Sequence, residues 1–315
     1  MNQGKSGNWL LHAYMAAFLL YLLVPLAVMG GAALNDSRLP SVYPWVGFTT
    51  RWFVELWNDN RIWAATFNTI LVALAVVALA VPIGTAGAIL INSLSGRLRT
   101  IIYAFMVAPI LTPGAVIGIS TLLFWFGIYL PALELQDVAT GAPAGLGSMG
   151  VLWQWISGQV PAGSHVAFVW APVPAGLHLS VLGQTSFIAA FVMLLVLARL
   201  QSFDRGLEEA ALDLGASHAQ VIRRILLPHL YPAIGAGAVI AFFQSVENFN
   251  VTLFTRGAQD TLTVYVFSKV RSGITPTINA LALILMALTV IGAIWYEISR
   301  RRSERRLAAL AASAP

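Results

Sequence analysis

EEAALDLGASHAQVIRRILLP, Glu208 to Pro228, gathers acids, a glycine, a serine and two arginines inside a chain that is otherwise largely apolar. Its residues spell a helix, an elbow and a second helix. Asp204 is placed to cap the first helix, and Glu208 and Glu209 put negative charge in its first turn, where the helix dipole favours it. That helix is expected to run to Leu214, because Gly215 permits a left-handed exit. Ser217 opens the second helix, with Gln220 three residues on completing a capping-box pattern. Val221, Ile222, Ile225 and Leu226 then share one side, Arg223 and Arg224 fall in the C-terminal half, and the helix is expected to stop before Pro228.

The surroundings of this stretch are those of a membrane protein. Of 315 residues, 58% are hydrophobic and 10% charged, too few polar side chains to cover a soluble globule of that size. Cysteine is absent and the five histidines, His12, His165, His178, His218 and His229, are scattered without ligand spacing, which argues against disulfides and metal chemistry. The net charge of +5 does not point to nucleic acid, since the basic residues flank apolar runs and form no aromatic-interleaved patch. The sole GKS, Gly4 to Ser6, lacks the upstream glycine and strand of a phosphate-binding loop and reads as part of a polar tail.

A spanning helix needs roughly 20 mostly apolar residues. Six stretches qualify: about Leu10–Ala33, Ile62–Leu90, Ile101–Leu130, Leu179–Leu200, Ala233–Phe254 and Thr277–Ile298. The first is read as a retained helix rather than a removable signal. Six spans put both termini on one side, and the side richer in Lys and Arg is cytoplasmic. With the N-terminus inside, the inner segments hold twelve of the eighteen basic residues, leaving Arg38, Arg51, Arg61, Arg256, Lys269 and Arg271 outside. Trp9 and Trp295 at the inner boundary and Trp63 and Trp125 near the outer one agree with headgroup-depth aromatic belts. The expected organisation is an all-α membrane protein: a tail at 1–9, a transmembrane domain over 10–298 with outer segments 34–61, 131–178 and 255–276 and a cytoplasmic loop 201–232, and a basic tail at 299–315.

Pro82 in the second span, and Pro109, Pro113 and Gly114 in the third, are expected to interrupt their helices. Kinked helices suit a protein that moves, although proline is also commoner in membrane helices than in soluble ones. In the first outer segment, Trp52, Phe53, Leu56 and Trp57 recur at helical spacing, as in an amphipathic helix lying on the membrane or meeting a partner. The segment Pro131–Gly176 is broken by Gly and Pro and reads as an outer loop, either a plain insertion or, with Trp153, Trp155 and Trp170, a docking surface.

In the fifth span, FFQSVENFNVTLF, Phe242 to Phe254, carries an acid. At about 1.5 Å per residue Glu247 lies roughly 20 Å from Ala233, beyond the bilayer middle towards the outside, where an acid is costly unless it faces the protein interior or a wet cavity. On a continuous helix Gln244, Asn248 and Thr252 form one polar stripe, with Ser245, Glu247 and Asn250 beside it. That stripe reads as the lining of a solute path; the alternative is that Glu247 pairs with Arg256, Lys269 or Arg271.

The pattern Glu209-Ala210-Ala211, three residues, Gly215, nine residues, Ile225, one residue, Leu227-Pro228, between the fourth and fifth of six spans, resembles the EAA loop of permease subunits in binding-protein-dependent ABC importers of the type I fold. Leu56–Thr69 (LWNDNRIWAATFNT) and Pro82–Arg99 (PIGTAGAILINSLSGRLR) resemble the family's entry to and exit from its second span, and Thr261–Leu285 (TLTVYVFSKVRSGITPTINALALIL) is similar to the spermidine/putrescine subgroup. The chain departs from that subgroup at Pro131–Gly176, where a short connection is usual.

The resemblance implies a non-enzymatic permease of the bacterial inner membrane, with both termini cytoplasmic. It implies a second permease, two ATPase subunits that bind ATP and Mg²⁺ elsewhere, and an external solute-binding protein, with a small organic, polyamine-like cation as solute. The loop residues Glu208, Glu209, Ala210, Ala211, Gly215, Ile225, Leu227 and Pro228 would form the joint that docks into an ATPase, and the subgroup carries acids in this part of the fifth span. Another small solute remains an alternative within the family. A channel or ion-driven transporter would show matching broken helices in two halves, and a membrane enzyme would show paired acids or a nucleophile and base inside the spans.

Overall fold

A computed structural model describes residues 6–127, 129–137, 164–172, 174–204, 206–273 and 275–312. The chain divides into two compact units, Met1–Trp63 with Tyr265–Pro315, and Ala64–Val264.

In the first unit, α1 (Ser6–Leu34) is followed by an outer segment wound around one buried asparagine. Asn35 Nδ2 donates to the carbonyls of Ser41 and Pro44, each at 3.0 Å, its Oδ1 accepts from the Val46 amide at 2.8 Å, and its own carbonyl accepts from Trp52 Nε1 at 2.8 Å. Those bonds aim α2 (Arg51–Trp57) inward. Trp52 packs with Ala33 of α1 and Ala280 of the long C-terminal helix (Pro276–Ala312). The expected aromatic face is therefore divided: Trp52 and Leu56 are buried in protein, whereas Trp57 is 69% exposed and meets Trp63 edge-to-face at 4.7 Å. Burying one indole with its N–H satisfied leaves the next turn free, so α2 docks on helices as well as presenting an exposed aromatic pair.

The second unit takes in most of α3 (Asn60–Ser93), α4 (Gly96–Leu111), α5 (Gly114–Phe126), a strand pair, α6 (Leu177–Leu200), α7 (Gly206–Asp213), α8 (His218–Val221), a π-turn (Ile222–Leu226), α9 (Leu227–Val246) and α10 (Asn250–Thr255). Next come α11 (Leu262–Ser272) and α12 (Pro276–Ala312), which lie largely in the first unit. Helix α6 is the core: Ile188, Val192, Met193 and Val196 are fully buried against Val72, Val76 and Ala80 of α3 and Leu230 and Ala241 of α9. Lipid is as apolar as these side chains, so close fit rather than water exclusion joins the helices. Gly84 supplies that fit, since a Cβ there would stand 2.5 Å from the Ala189 carbonyl oxygen and 2.8 Å from Val192 Cβ.

All six expected apolar segments are helical over most of their length, and three depart from straight rods. Among the described residues, four helices are long and apolar enough to cross a membrane: Leu11–Leu34, Asn60–Ser93, Leu177–Leu200 and His218–Val246. The third expected span is the pair α4 and α5, bent by 105°, and the sixth is apolar over Pro276–Gly292 at the start of α12. The bend falls at Pro113, which pushes Thr112 out of the helical region to φ −85°, ψ 130°. Pro82 and Pro109 stay inside unbroken helices, contrary to expectation. The fifth span stops at Val246 and resumes as α10, so it is not continuous through Phe254.

The all-α expectation also needs one addition. Tyr129–Asp137 (β1) pairs antiparallel with Ser164–Pro172 (β2), in register from Tyr129 with Pro172 to Asp137 with Ser164. The third span therefore ends at Phe126, and the ends of the expected loop are strands. LELQ in β1 alternates with the period of two of a half-buried strand, whereas HVAFVW in β2 is a continuous apolar run after His165. Trp153 and Trp155 lie outside the described residues.

Candidate functional site: the glycine elbow and the broken fifth span

The elbow forms from local chemistry. Asp204 Oδ1 accepts from the Gly206 amide at 2.9 Å, opening α7 with Glu208 and Glu209 in its first turn. The helix closes in a Schellman motif: the Gly215 amide donates to the Leu212 carbonyl at 2.9 Å and the Ala216 amide to the Ala211 carbonyl at 3.0 Å, with Gly215 at φ +84°. The capping box is complete, Ser217 Oγ accepting from the Gln220 amide at 3.3 Å and Gln220 Oε1 accepting from the Ser217 amide at 2.8 Å.

One expectation fails here: the second helix does not stop before Pro228 but runs on into the fifth span as His218–Val246. Proline lacks an amide proton and crowds the carbonyl four residues back, so an ordinary helix would strain at this point. The π-turn immediately before it, where the Leu227 amide reaches the Ile222 carbonyl, widens the helix and relieves that conflict. The elbow is consequently joined without a hinge to a membrane helix. Glu209, Ala210, Gly215 and Pro228 are exposed, and Glu208, Ala211, Ile225 and Leu227 half-buried. Sequence reasoning missed Leu207 and Leu214, 53% and 89% exposed, which flank the small residues with apolar surface.

The break in the fifth span rearranges the expected polar stripe. Gln244 and Ser245 end α9, Glu247 to Phe249 form the break, and Asn250 and Thr252 begin α10. Ser245 and Thr252 are buried and hydrogen-bonded to Gln184 of α6, so they face protein rather than a path. Gln184 itself was missed, although a lone amide in an apolar span was a signal. Asn248 Oδ1 accepts from the Val251 amide, in the first turn of α10, at 3.2 Å. Glu247 is exposed at the C-terminal end of α9, where the last carbonyls carry partial negative charge. Among the described residues it makes no ion pair; Arg256 pairs with Asp260. A carboxylate at a helix C-terminus is in unfavourable company, and a cation relieves it.

In the first unit, Asp59 Oδ1 accepts from the Arg61 amide at 2.9 Å and caps α3, while Lys269 Nζ stands 3.5 Å from Oδ2. Burial pushes the Asp59 carboxyl up, but the Tyr265 hydroxyl, the Arg61 amide and Lys269 together hold it below its ordinary value. Burial and the same bond push the Tyr265 hydroxyl well above its usual range. Among the described residues no cluster of three or more His, Asp or Glu is arranged to hold a metal.

A bent third span, a glycine elbow continuous with the fifth span and an acid at that span's break describe a transport permease. Residues 80–305 match the model of the binding-protein-dependent transport system inner membrane component, and the chain belongs to this family of ABC importer permeases. It is 32% identical over 290 residues to the putrescine transport system permease protein PotI of Escherichia coli strain K12, covering 90% of this chain and 89% of that one. Identity to the spermidine/putrescine transport system permease protein PotC of the same strain is 28% over 286 residues, covering 90% and 91%. In structure it resembles a chain of a bacterial ABC transporter involved in the import of the acidic polysaccharide alginate, with TM-score 0.64, 19% identity and 93% and 96% of the two chains covered. At that identity the likeness speaks to the fold alone.

Proposed function

We propose that this chain lines, with a second permease, the translocation path for a small aliphatic polyamine of the putrescine type. Two separate ATPase subunits drive it by hydrolysing ATP with Mg²⁺, and an external solute-binding protein supplies the solute. Both termini face the cytoplasm, a reading that the bias of basic residues supports. The elbow from Glu208 to Pro228 is the joint to an ATPase, and its continuity with α9 carries movement of that joint into the fifth span.

The observation that carries the solute reading is Glu247, an exposed acid that makes no ion pair among the described residues, at the C-terminal end of a broken membrane helix. An acid in a span is retained where it faces a partner or a wet cavity, and half-helix C-termini favour cations. One acid next to Asn248 suits a cation less highly charged than spermidine, and the similarity to PotI, named for putrescine, supports the same choice. The test is uptake of labelled putrescine and spermidine by the intact importer. Wild type takes up putrescine in preference to spermidine, and Glu247→Gln lowers that uptake or changes the preference while assembly and basal ATP hydrolysis persist. Unchanged uptake of every cation tested removes Glu247 from the path, and loss of assembly assigns it a structural role.

A further inference from the structure

Gln184 is 1% exposed in the middle of α6, and both ends of its amide are engaged from opposite sides of the break. Ser245 Oγ, in the last turn of α9, donates to Gln184 Oε1 at 2.5 Å, and Gln184 Nε2 donates to Thr252 Oγ1, in the first turn of α10, at 2.8 Å. One turn along, the hydroxyls of Ser180 and Thr255 lie 2.8 Å apart, and the Gly176 amide donates to the Thr255 carbonyl at 2.7 Å. Two glycines press the same short helix into place: a Cβ on Gly118 of α5 would stand 3.0 Å from Val251 Cα, and one on Gly183 of α6 would stand 2.8 Å from Val251 Cγ1.

A continuous helix needs no such device, because its own ladder of backbone bonds fixes each turn on the last. Here the ladder lapses: the Asn248 amide reaches back only to the Ser245 carbonyl at 3.2 Å, and the Val251 amide turns to the Asn248 side chain. Gln184, Ser245 and Thr252 are buried, so no water competes for these groups and a bond across the break persists. Glutamine suits the task because its planar amide offers an acceptor and a donor on separate atoms, one for each half.

We infer that Gln184 is a positioning residue for transport, clasping the two halves of the fifth span so that Glu247 and Asn248 are held at fixed places between them. The inference rests on the reading of Glu247 as the solute-facing acid. It separates from a bare stability role through the triple variant Gln184→Leu, Ser245→Ala, Thr252→Val, which removes the clasp and leaves none of its three members buried without a partner. That variant assembles, yet its apparent KM for labelled putrescine rises about tenfold, the size of one strongly coupled pair. Combined with Glu247→Gln it adds little further loss. Wild-type uptake by the triple variant overturns the clasp.

If the triple variant fails to assemble, Gln184→Glu and Gln184→Met decide. The glutamate accepts from the Ser245 hydroxyl as the glutamine does and, once the Thr252 hydroxyl turns to donate, from Thr252 as well, and so restores uptake where methionine does not; equal loss in the two overturns the inference. A readout that needs no solute separates this proposal from the preceding one. Spin labels on Val239→Cys and Ala258→Cys, in a chain that has no cysteine of its own, give a narrow distance distribution in wild type and a broad one in the triple variant. A narrow distribution in both overturns the clasp even where putrescine is not the solute.

Discussion

The Tyr265 hydroxyl donates to Asp59 Oδ2 at 2.6 Å, joining residues 206 positions apart and fixing the start of α3 to α11 in the first unit. The bond has a defined pH window. Asp59 is held below its ordinary value of 3.8, so its contribution to stability is present above that value and is lost as pH falls through the lower folded value. The Tyr265 hydroxyl is raised above 10.0, so its contribution is present below that pH and declines as pH rises beyond it. Tyr265→Phe costs about 1 kcal/mol near neutral pH and weakens the acid-side loss. Thermal unfolding of the purified importer between pH 3 and 7 checks this, and identical pH profiles for the two proteins would count against the link.

Gly84→Ala is a substitution the core tolerates poorly. Its Cβ would meet the Ala189 carbonyl oxygen at 2.5 Å and the Met193 amide nitrogen at 2.9 Å, backbone atoms that cannot swing aside. Overpacking of this kind costs about 1–3 kcal/mol. Gly235→Ala, where nothing lies within 4 Å, is the control. Size-exclusion yield of the assembled complex should fall for the first and hold for the second; equal yields would show that α3 and α6 do not need the close approach.

Gly215 separates conformation from space. Nothing lies within 4 Å of an added Cβ, but φ is +84°. A β-branched valine there costs about 1–2 kcal/mol in backbone strain and reshapes the elbow, whereas asparagine tolerates the left-handed region. Uptake is expected to fall at least tenfold in Gly215→Val with normal membrane insertion, and to survive largely intact in Gly215→Asn. Glu209→Lys, which sets a cation against the start of α7, should also uncouple ATP hydrolysis from uptake. Normal transport by Gly215→Val and Glu209→Lys at normal expression would remove the elbow from the coupling path.

Orientation is read by thiol labelling. Ser217→Cys, exposed on the elbow, should resist an impermeant reagent added outside intact cells, and Ala258→Cys, exposed beyond α10, should react. The reverse pattern would invert the topology.

Much of this protein follows from neighbours in sequence. The apolar runs mark the spans because each helix satisfies its own backbone in lipid. The elbow follows from Asp204, Gly215, Ser217 and Gln220 because capping acts over three or four residues, and Pro113 marks the 105° bend because a proline restricts the residue before it. Tertiary structure decided the rest. Composition alone is compatible with a continuous helix from Ala233 to Phe254; the break appears because α10 is held by Gly118, Gly183 and Gln184, from helices distant in sequence, more firmly than by its own ladder. In the same way Trp52 and Trp57 share a helix, and the Asn35 carbonyl together with Ala33 and Ala280 settles which of them is buried. A hydrophobic period states that a face will be covered, but the partner that covers it comes from elsewhere in the chain, and in lipid that choice turns on close fit and paired polar groups rather than on hydrophobicity.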